Sequence, residues 1–164
     1  MIFWITGPSG SGKTTFSLIL KYYLNWPTVM LDGDYLRKSL SSDLGFSDED
    51  RRENMRRVGA VAQELSRQEF HVICSFVSPS EEMRQMAFNQ IEDPFILIYM
   101  STPLSVCAER DPKGLYAMMA RGEIKSLTGS NPYEPPINAD FTVDASESIE
   151  WLDKKAQEIT IGHA

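Results

Sequence analysis

The chain has 164 residues, the length of one compact domain. Hydrophobic residues make up 42% and charged residues 24%, ordinary values for a globular fold, which sets aside disordered and fibrous classes. Sixteen Lys and Arg against twenty-three Asp and Glu leave a net charge of −7, the wrong sign for a general nucleic-acid binder, although a few local cations can still hold a small anion.

Ile2-Phe3-Trp4-Ile5 is an apolar run of strand length that stops at Gly7. Phe16, Ile19, Leu20, Tyr23 and Leu24 then recur at helical spacing, and Thr28 to Leu31 predicts a second strand ending in Asp32-Gly33-Asp34. Ser47 before Asp48, Glu49 and Asp50 is an acidic helix start suited to the positive end of the dipole. The helix it opens carries Met55, Val58, Ala62 and Leu65 on one face. His71 to Cys74 and Phe95 to Tyr99 are further strands, with a helix from Glu81 to Ile91 between them. Phe141 to Val143 predicts a last short strand, and Ile149, Leu152, Ala156 and Ile159 a closing helix. Only residues 111–138 lack a period, as a lid or substrate loop would.

This alternation predicts an α/β fold of three layers, with a mostly parallel central sheet of about five strands covered on both faces. One domain over residues 1–164 is expected, with a lid at roughly 110–138. Cys74 and Cys107 are too few and too separated for a disulfide framework or zinc site and read as apolar fillers. His71 and His163 stand apart from any carboxylate or cysteine cluster and are assigned no metal. The richest apolar stretch, Phe95 to Met100, is far shorter than the about 20 residues of a membrane span, and the start lacks signal-peptide character. A soluble, cytoplasmic protein without nucleic-acid or membrane partners is therefore expected.

Gly7-Pro8-Ser9-Gly10-Ser11-Gly12-Lys13-Thr14 fits the phosphate-loop pattern G-x-x-x-x-G-K-[ST], with an apolar strand before it and an amphipathic helix after it. The glycines let main-chain N–H groups curl toward phosphate oxygens. Lys13 is placed to bridge the β- and γ-phosphates of ATP, and Thr14 to ligate Mg²⁺; Thr15 continues the cradle. The helix, expected to start at Gly12, adds its positive end. Such a loop suits a switch protein, a motor or a kinase, and the Asn-Lys-x-Asp base reader of GTPases is missing. Asp32 and Asp34 lie at a strand tip, on the edge where open α/β folds bind ligands. One carboxylate there can orient or deprotonate an acceptor hydroxyl and a second can hold water on Mg²⁺. Arg37, Arg51, Arg52, Arg56 and Arg57 supply cations, either to an anion or to an exposed face of Glu/Arg pairs.

Several stretches together resemble the adenylyl-sulfate kinase family of P-loop kinases. They are GPSGSGKTT (7–15), LDGDYLR (31–37), DLGFSDEDRRENMRR (43–57), VSP (77–79), CAERDPKGLY (107–116), GEIK (122–125) and TGSNPYEPP (128–136). The resemblance implies an ATP- and Mg²⁺-dependent enzyme that phosphorylates the 3′-hydroxyl of adenosine 5′-phosphosulfate. It implies Asp34 as the acceptor-side base, leaving Asp32 with Thr14 for the metal. Arg37, Arg51 and Asn54 would hold the acceptor's anion and ribose, Phe46 would stack on its base, and Ser78 would add a polar contact. Arg110 would serve the donor nucleotide, and Lys113 and Leu115 the acceptor, from a lid that also contains Asp111 and Gly114. A homodimer is also common among relatives. From the residues alone, Phe46 is equally a hydrophobic staple at the helix entry.

Three departures stand out. Relatives usually carry an extension before the first strand, whereas here the strand begins at Ile2. Ser80-Glu81 replaces the usual Tyr-Arg, putting an anion where a cation is common. Ala117, Met118, Met119 and Ala120 replace a lysine-rich lid segment, with Arg121 one step later. Two alternatives follow: a different activated nucleotide as acceptor, such as a cytidine diphosphoramidate, or a catalytically idle nucleotide-binding module.

Overall fold

The computed structural model describes residues 1–129 and 132–161. Ser130 and Asn131 of the TGSNPYEPP stretch, and His163, lie outside them. Five strands form one sheet: β1 (Ile2–Thr6), β2 (Thr28–Asp32), β3 (His71–Phe76), β4 (Phe95–Met100) and β5 (Phe141–Val143). Their order is β2-β3-β1-β4-β5, and every pairing is parallel. The helices are α1 (Lys13–Tyr23), α2 (Gly33–Lys38), α3 (Asp48–Arg67), α4 (Glu81–Phe88), α5 (Leu104–Arg110), α6 (Leu115–Ala120) and α7 (Ile149–Thr160).

Strand β1 is central and buried along its whole length, so its side chains must be apolar on both faces. Phe3 and Ile5 pack with Phe16 and Leu20 of α1 and Leu152, Ala156 and Ile159 of α7. Ile2 and Trp4 face the other way, onto Met55, Val58 and Ala62 of α3 and Met83 and Ala87 of α4. Each fully buried side chain of this size contributes about 1.5–3 kcal/mol of transfer free energy. Helices α3 and α4 approach so closely that a Cβ on Gly59 would overlap the Ala87 carbonyl.

Serines fix the helix entries. Ser47 Oγ accepts from the Asp50 N–H at 3.1 Å, Ser80 Oγ from Met83 at 3.3 Å and Ser148 Oγ from Trp151 at 3.2 Å. Three expectations need correction. Helix α1 begins at Lys13, because Gly12 takes a left-handed φ of 88° and serves as the N-cap. Helix α4 ends at Phe88 and not Ile91, because the Gln90 and Ile91 N–H groups reach back only three residues, to Ala87 and Phe88. Residues 111–138 are not wholly irregular: Asp111 accepts from the N–H groups of Tyr116 and Ala117 at 3.1 and 3.0 Å and so starts α6. No helix among the described residues is long and apolar enough to cross a membrane.

Candidate active site

The carboxyl ends of the parallel strands deliver the loops after β1, β2, β3 and β5 to one edge. There, between elements that cross the sheet in opposite directions, open α/β folds bind ligands. A cleft of about 1740 Å³ lies along it. Since about 300–1,000 Å³ suffices for one drug-sized ligand, this cleft has room for two nucleotides.

One end is the loop after β1. Ser9, Gly10, Gly12, Lys13, Thr14 and Thr15 line it. Gly10 has φ 79°, and a Cβ there would stand 2.6 Å from the Cys107 carbonyl oxygen. No side chain caps α1, so its first N–H groups remain available to an anion. Lys13 Nζ donates to the carbonyls of Gly7 at 2.9 Å and Pro8 at 2.7 Å. Its pKa is lowered to about 8, first by burial and then by the Lys113 ammonium, against the raising influence of Asp34 and Asp32. Gly7 and Ser11 are buried behind the wall and shape the loop from beneath. Arg110 reaches the cleft from α5 and donates to the Ala145 carbonyl at 2.5 Å.

Asp32 ends β2 and Asp34 lies in the first turn of α2. Asp32 Oδ1 accepts from the Asp34 N–H at 2.9 Å, which caps α2, while Oδ2 accepts from Thr14 Oγ1 at 3.5 Å. This capping leaves the Asp34 side chain projecting to the cleft, where it pairs with Lys113 Nζ. A lid cation thus meets the carboxylate expected to act on the acceptor.

The far end is built around Phe46, which is 68% exposed. The Arg37 guanidinium lies 4.6 Å from its ring centroid and that of Arg51 5.6 Å, a cation–π arrangement. Phe46 directly precedes the Ser47 cap. The residue four places into the helix is Arg51, whose Nε donates to the Phe46 carbonyl at 3.0 Å, so the staple position is filled by a cation and not by a hydrophobe. Arg37 is shifted below the ordinary arginine range by burial and then by Arg51. Beside them Asn54 is 2% exposed, and its Oδ1 has no hydrogen-bond partner among the described residues. A buried amide oxygen without a partner is costly, and a ligand donor in the cleft it lines would satisfy it.

The model of the adenylylsulphate kinase family matches residues 1–144. The chain belongs to that family. It is 45% identical to the adenylyl-sulfate kinase of Shewanella sp. (strain ANA-3), over 90% of this chain and 74% of that one. It is 43% identical to the adenylyl-sulfate kinase of Gloeothece citriformis, over 95% and 89%. A structure of the Mycobacterium tuberculosis APS kinase in complex with AMPPNP and APS superposes with a TM-score of 0.87. It shares 38% identity over 98% of this chain and 95% of that one. A gluconokinase from Sinorhizobium meliloti, at 17% identity and TM-score 0.64, shares the fold.

In this adenylylsulphate kinase family member the phosphate loop, strand-tip carboxylates, arginines and the segment expected to form a lid share one cleft. Lys113 and Leu115 line it from that segment. Ser78 also lines the cleft. It is 2% exposed, and its hydroxyl donates to Thr6 Oγ1 at 2.9 Å and accepts from Trp4 Nε1 at 3.3 Å, so that group is engaged inside the protein. Glu81 likewise turns away, to Arg84 at 2.9 Å. Sequence reasoning missed Ala145, Glu147 and Ile149 as lining the cleft; their only signal is their place after β5. It also missed Tyr116, whose hydroxyl donates to the Ser9 carbonyl at 2.9 Å and ties α6 to the phosphate loop.

Proposed function

We propose that this chain transfers the γ-phosphoryl group of ATP to the 3′-hydroxyl of adenosine 5′-phosphosulfate, giving 3′-phosphoadenylyl sulfate and ADP. The observation that carries the reading is the position of Asp34. It stands on the same cleft as Lys13, between the phosphate loop at one end and the Phe46, Arg37, Arg51 and Asn54 cluster at the other. The named ligands of the Mycobacterium tuberculosis relative, AMPPNP and APS, are one donor analogue and one acceptor, the pair this two-ended cleft suits.

Phosphoryl transfer demands mainly positioning and charge stabilisation. The phosphate loop fixes the donor triphosphate through main-chain N–H groups, and Lys13 exchanges its two carbonyl partners for phosphate oxygens. Arg37 and Arg51 present guanidinium forks to the acceptor's phosphosulfate. Phe46 offers its exposed ring to the acceptor base. Asp34 accepts the proton of the 3′-hydroxyl as that oxygen attacks phosphorus. Lys113 leaves Asp34 for the incoming anions, and the lid excludes water that would otherwise take the phosphoryl group.

Thr14 and Asp32 fit Mg²⁺: a hydroxyl and a carboxylate face each other beside the phosphate loop, the hard oxygen donors this ion prefers. Among the described residues no group of three or more His, Cys, Asp or Glu could hold a metal ion. The ion would therefore share its coordination with phosphates and water, and bound there it would neutralise charge on the β- and γ-phosphates.

Coupled ADP release with Mg-ATP, run against adenylyl sulfate, AMP, CMP and a cytidine diphosphoramidate, tests the reading. Turnover with adenylyl sulfate well above the others is expected. Preference for the cytidine compound would move the acceptor assignment, and no turnover with any of the four would refute the kinase reading.

A further inference from the structure

Arg84 is completely buried, a guanidinium of the second turn of α4 that phosphoryl transfer as described above does not use. A buried arginine is retained only with its charge and its donors met. Glu81 supplies the charge, accepting from Arg84 Nε at 3.2 Å and from Nη2 at 2.9 Å. Nη1 bridges two main-chain carbonyls that are distant in sequence, Ser78 at 3.0 Å and Glu134 at 2.8 Å. The first belongs to the loop after β3; the second to the segment by which the chain returns from the lid.

Other contacts join the same two segments. The Glu134 N–H donates to the Pro79 carbonyl at 2.7 Å, and the Glu134 side chain accepts from the Glu81 N–H at 3.2 Å. Tyr133 shares a hydrogen bond with Thr6 Oγ1 at 3.0 Å and stacks on Tyr99 with an interplanar angle of 11°. Ser78 itself has a φ of 35°, a left-handed value unfavourable for serine. It persists because the Arg84 bond to its carbonyl and the hydroxyl contacts with Trp4 and Thr6 over-determine it. Loop and lid root are therefore held as one body, and both Ser78 and Pro79 line the cleft.

We propose that Arg84, with Glu81 as its counterion, is a positioning residue that clasps the root of the lid to the acceptor-side loop and so sets the gap the acceptor enters. The inference rests on the proposed kinase reaction for its kinetic readout. It also accounts for Glu81: an anion at that position is the partner of Arg84 and leaves the charge offered to the acceptor unchanged.

The experiment uses the full chain with Arg84→Lys, which keeps the charge but loses the planar fork, and Glu81→Gln, which is milder. Steady-state kinetics with both substrates, thermal melting and amide hydrogen exchange are measured together. The acceptor KM should rise about tenfold in Arg84→Lys and about threefold in Glu81→Gln, because a smaller fraction of molecules holds the competent gap. The ATP KM should stay within about twofold, since the clasp does not touch the phosphate loop. Exchange at the Glu134 and Glu81 amides should quicken in both variants while that of β1 stays slow. An unchanged acceptor KM in Arg84→Lys would overturn the proposal, and so would parallel rises in both KM values tracking a loss of Tm. A wild-type enzyme inactive with adenylyl sulfate would count against the proposed reaction alone. The clasp would then stand if exchange at Glu134 and Glu81 quickens in Arg84→Lys with β1 unaltered, and fall if it does not.

Discussion

Replacing Asp34 by Asn separates catalysis from folding. The side chain is exposed and its ion-pair partner, Lys113, is half exposed, so the pair contributes at most about 1 kcal/mol to stability. For a chain of this size that is a Tm change below about 4 °C. The main-chain bond from Asp34 to Asp32 that caps α2 is untouched by the substitution. A positioned base contributes about 10²–10⁴-fold to a proton-transfer step, or about 3–5 kcal/mol of barrier. Asp34→Asn should therefore lower kcat by that factor, with the ATP KM little changed near neutral pH. A second effect follows from the charges around Lys13. Asp34 raises its pKa and Lys113 lowers it; losing the carboxylate leaves the two ammonium groups facing each other. ATP-analogue affinity in Asp34→Asn should then begin to fall at a lower pH than in the wild type. Coupled ADP release gives kcat, and calorimetric titration of the analogue between about pH 6.5 and 9.5 gives the second arm. A variant that turns over at the wild-type rate would remove Asp34 from the reaction, however its binding behaves.

For the wild type, the lowered pKa of Lys13, about 8, predicts the sign of the pH dependence directly. The protonated amine that pairs with phosphate is complete below that pH, so affinity should be level there and weaken about tenfold per unit above it while the bound form keeps its proton. Affinity level through about pH 9.5 would contradict the burial argument. In the cradle, Gly10→Ala combines a left-handed φ with a Cβ 2.6 Å from a main-chain oxygen that no rotamer change can move. Gly114→Ala has φ 66° and nothing within 4 Å. The first should weaken ATP binding more than about tenfold; the second should cost only the backbone preference, about 1–2 kcal/mol of stability, with ATP affinity retained. Equal effects in a binding titration and a melt would show that the close approach to Cys107 does not shape the loop.

The strands were legible because each carries an apolar run, and each begins or ends within two residues of it. The phosphate loop was legible because its chemistry is local: eight consecutive residues fold into one cradle. Ser47 announced α3 for the same reason. Helices α2, α5 and α6, of six or seven residues, span no more than two turns and show no period; Asp32 caps α2, and the Asp111 carboxylate takes two first-turn N–H groups of α6. Contacts between distant segments left no trace. Nothing in the order Ser78-Pro79-Ser80-Glu81 says that the serine hydroxyl turns to Trp4 or that the glutamate turns to Arg84. The resemblance gave Ser78 a polar contact and marked Glu81 as a departure; the partners of both side chains inside the protein come from tertiary packing.

The cleft also shows how a chain with a net charge of −7 offers a strongly cationic site without bare buried charge. Two of its ammonium groups already have a protein partner: Lys13 the carbonyls of Gly7 and Pro8, Lys113 the carboxylate of Asp34. Incoming phosphates therefore exchange one set of oxygens for another, which keeps the desolvation penalty small. The two exchanges are unequal. Freeing Lys13 leaves two neutral carbonyls, whereas freeing Lys113 uncovers an anion beside the acceptor's hydroxyl. In the proposed reaction, Asp34 would become available as a base only when something more negative than itself attracts Lys113, and the two nucleotides would be the anions that do so. Base activation and filling of the cleft would then be one electrostatic event, which fits a carboxylate placed within reach of Lys113 and not deeper in the sheet.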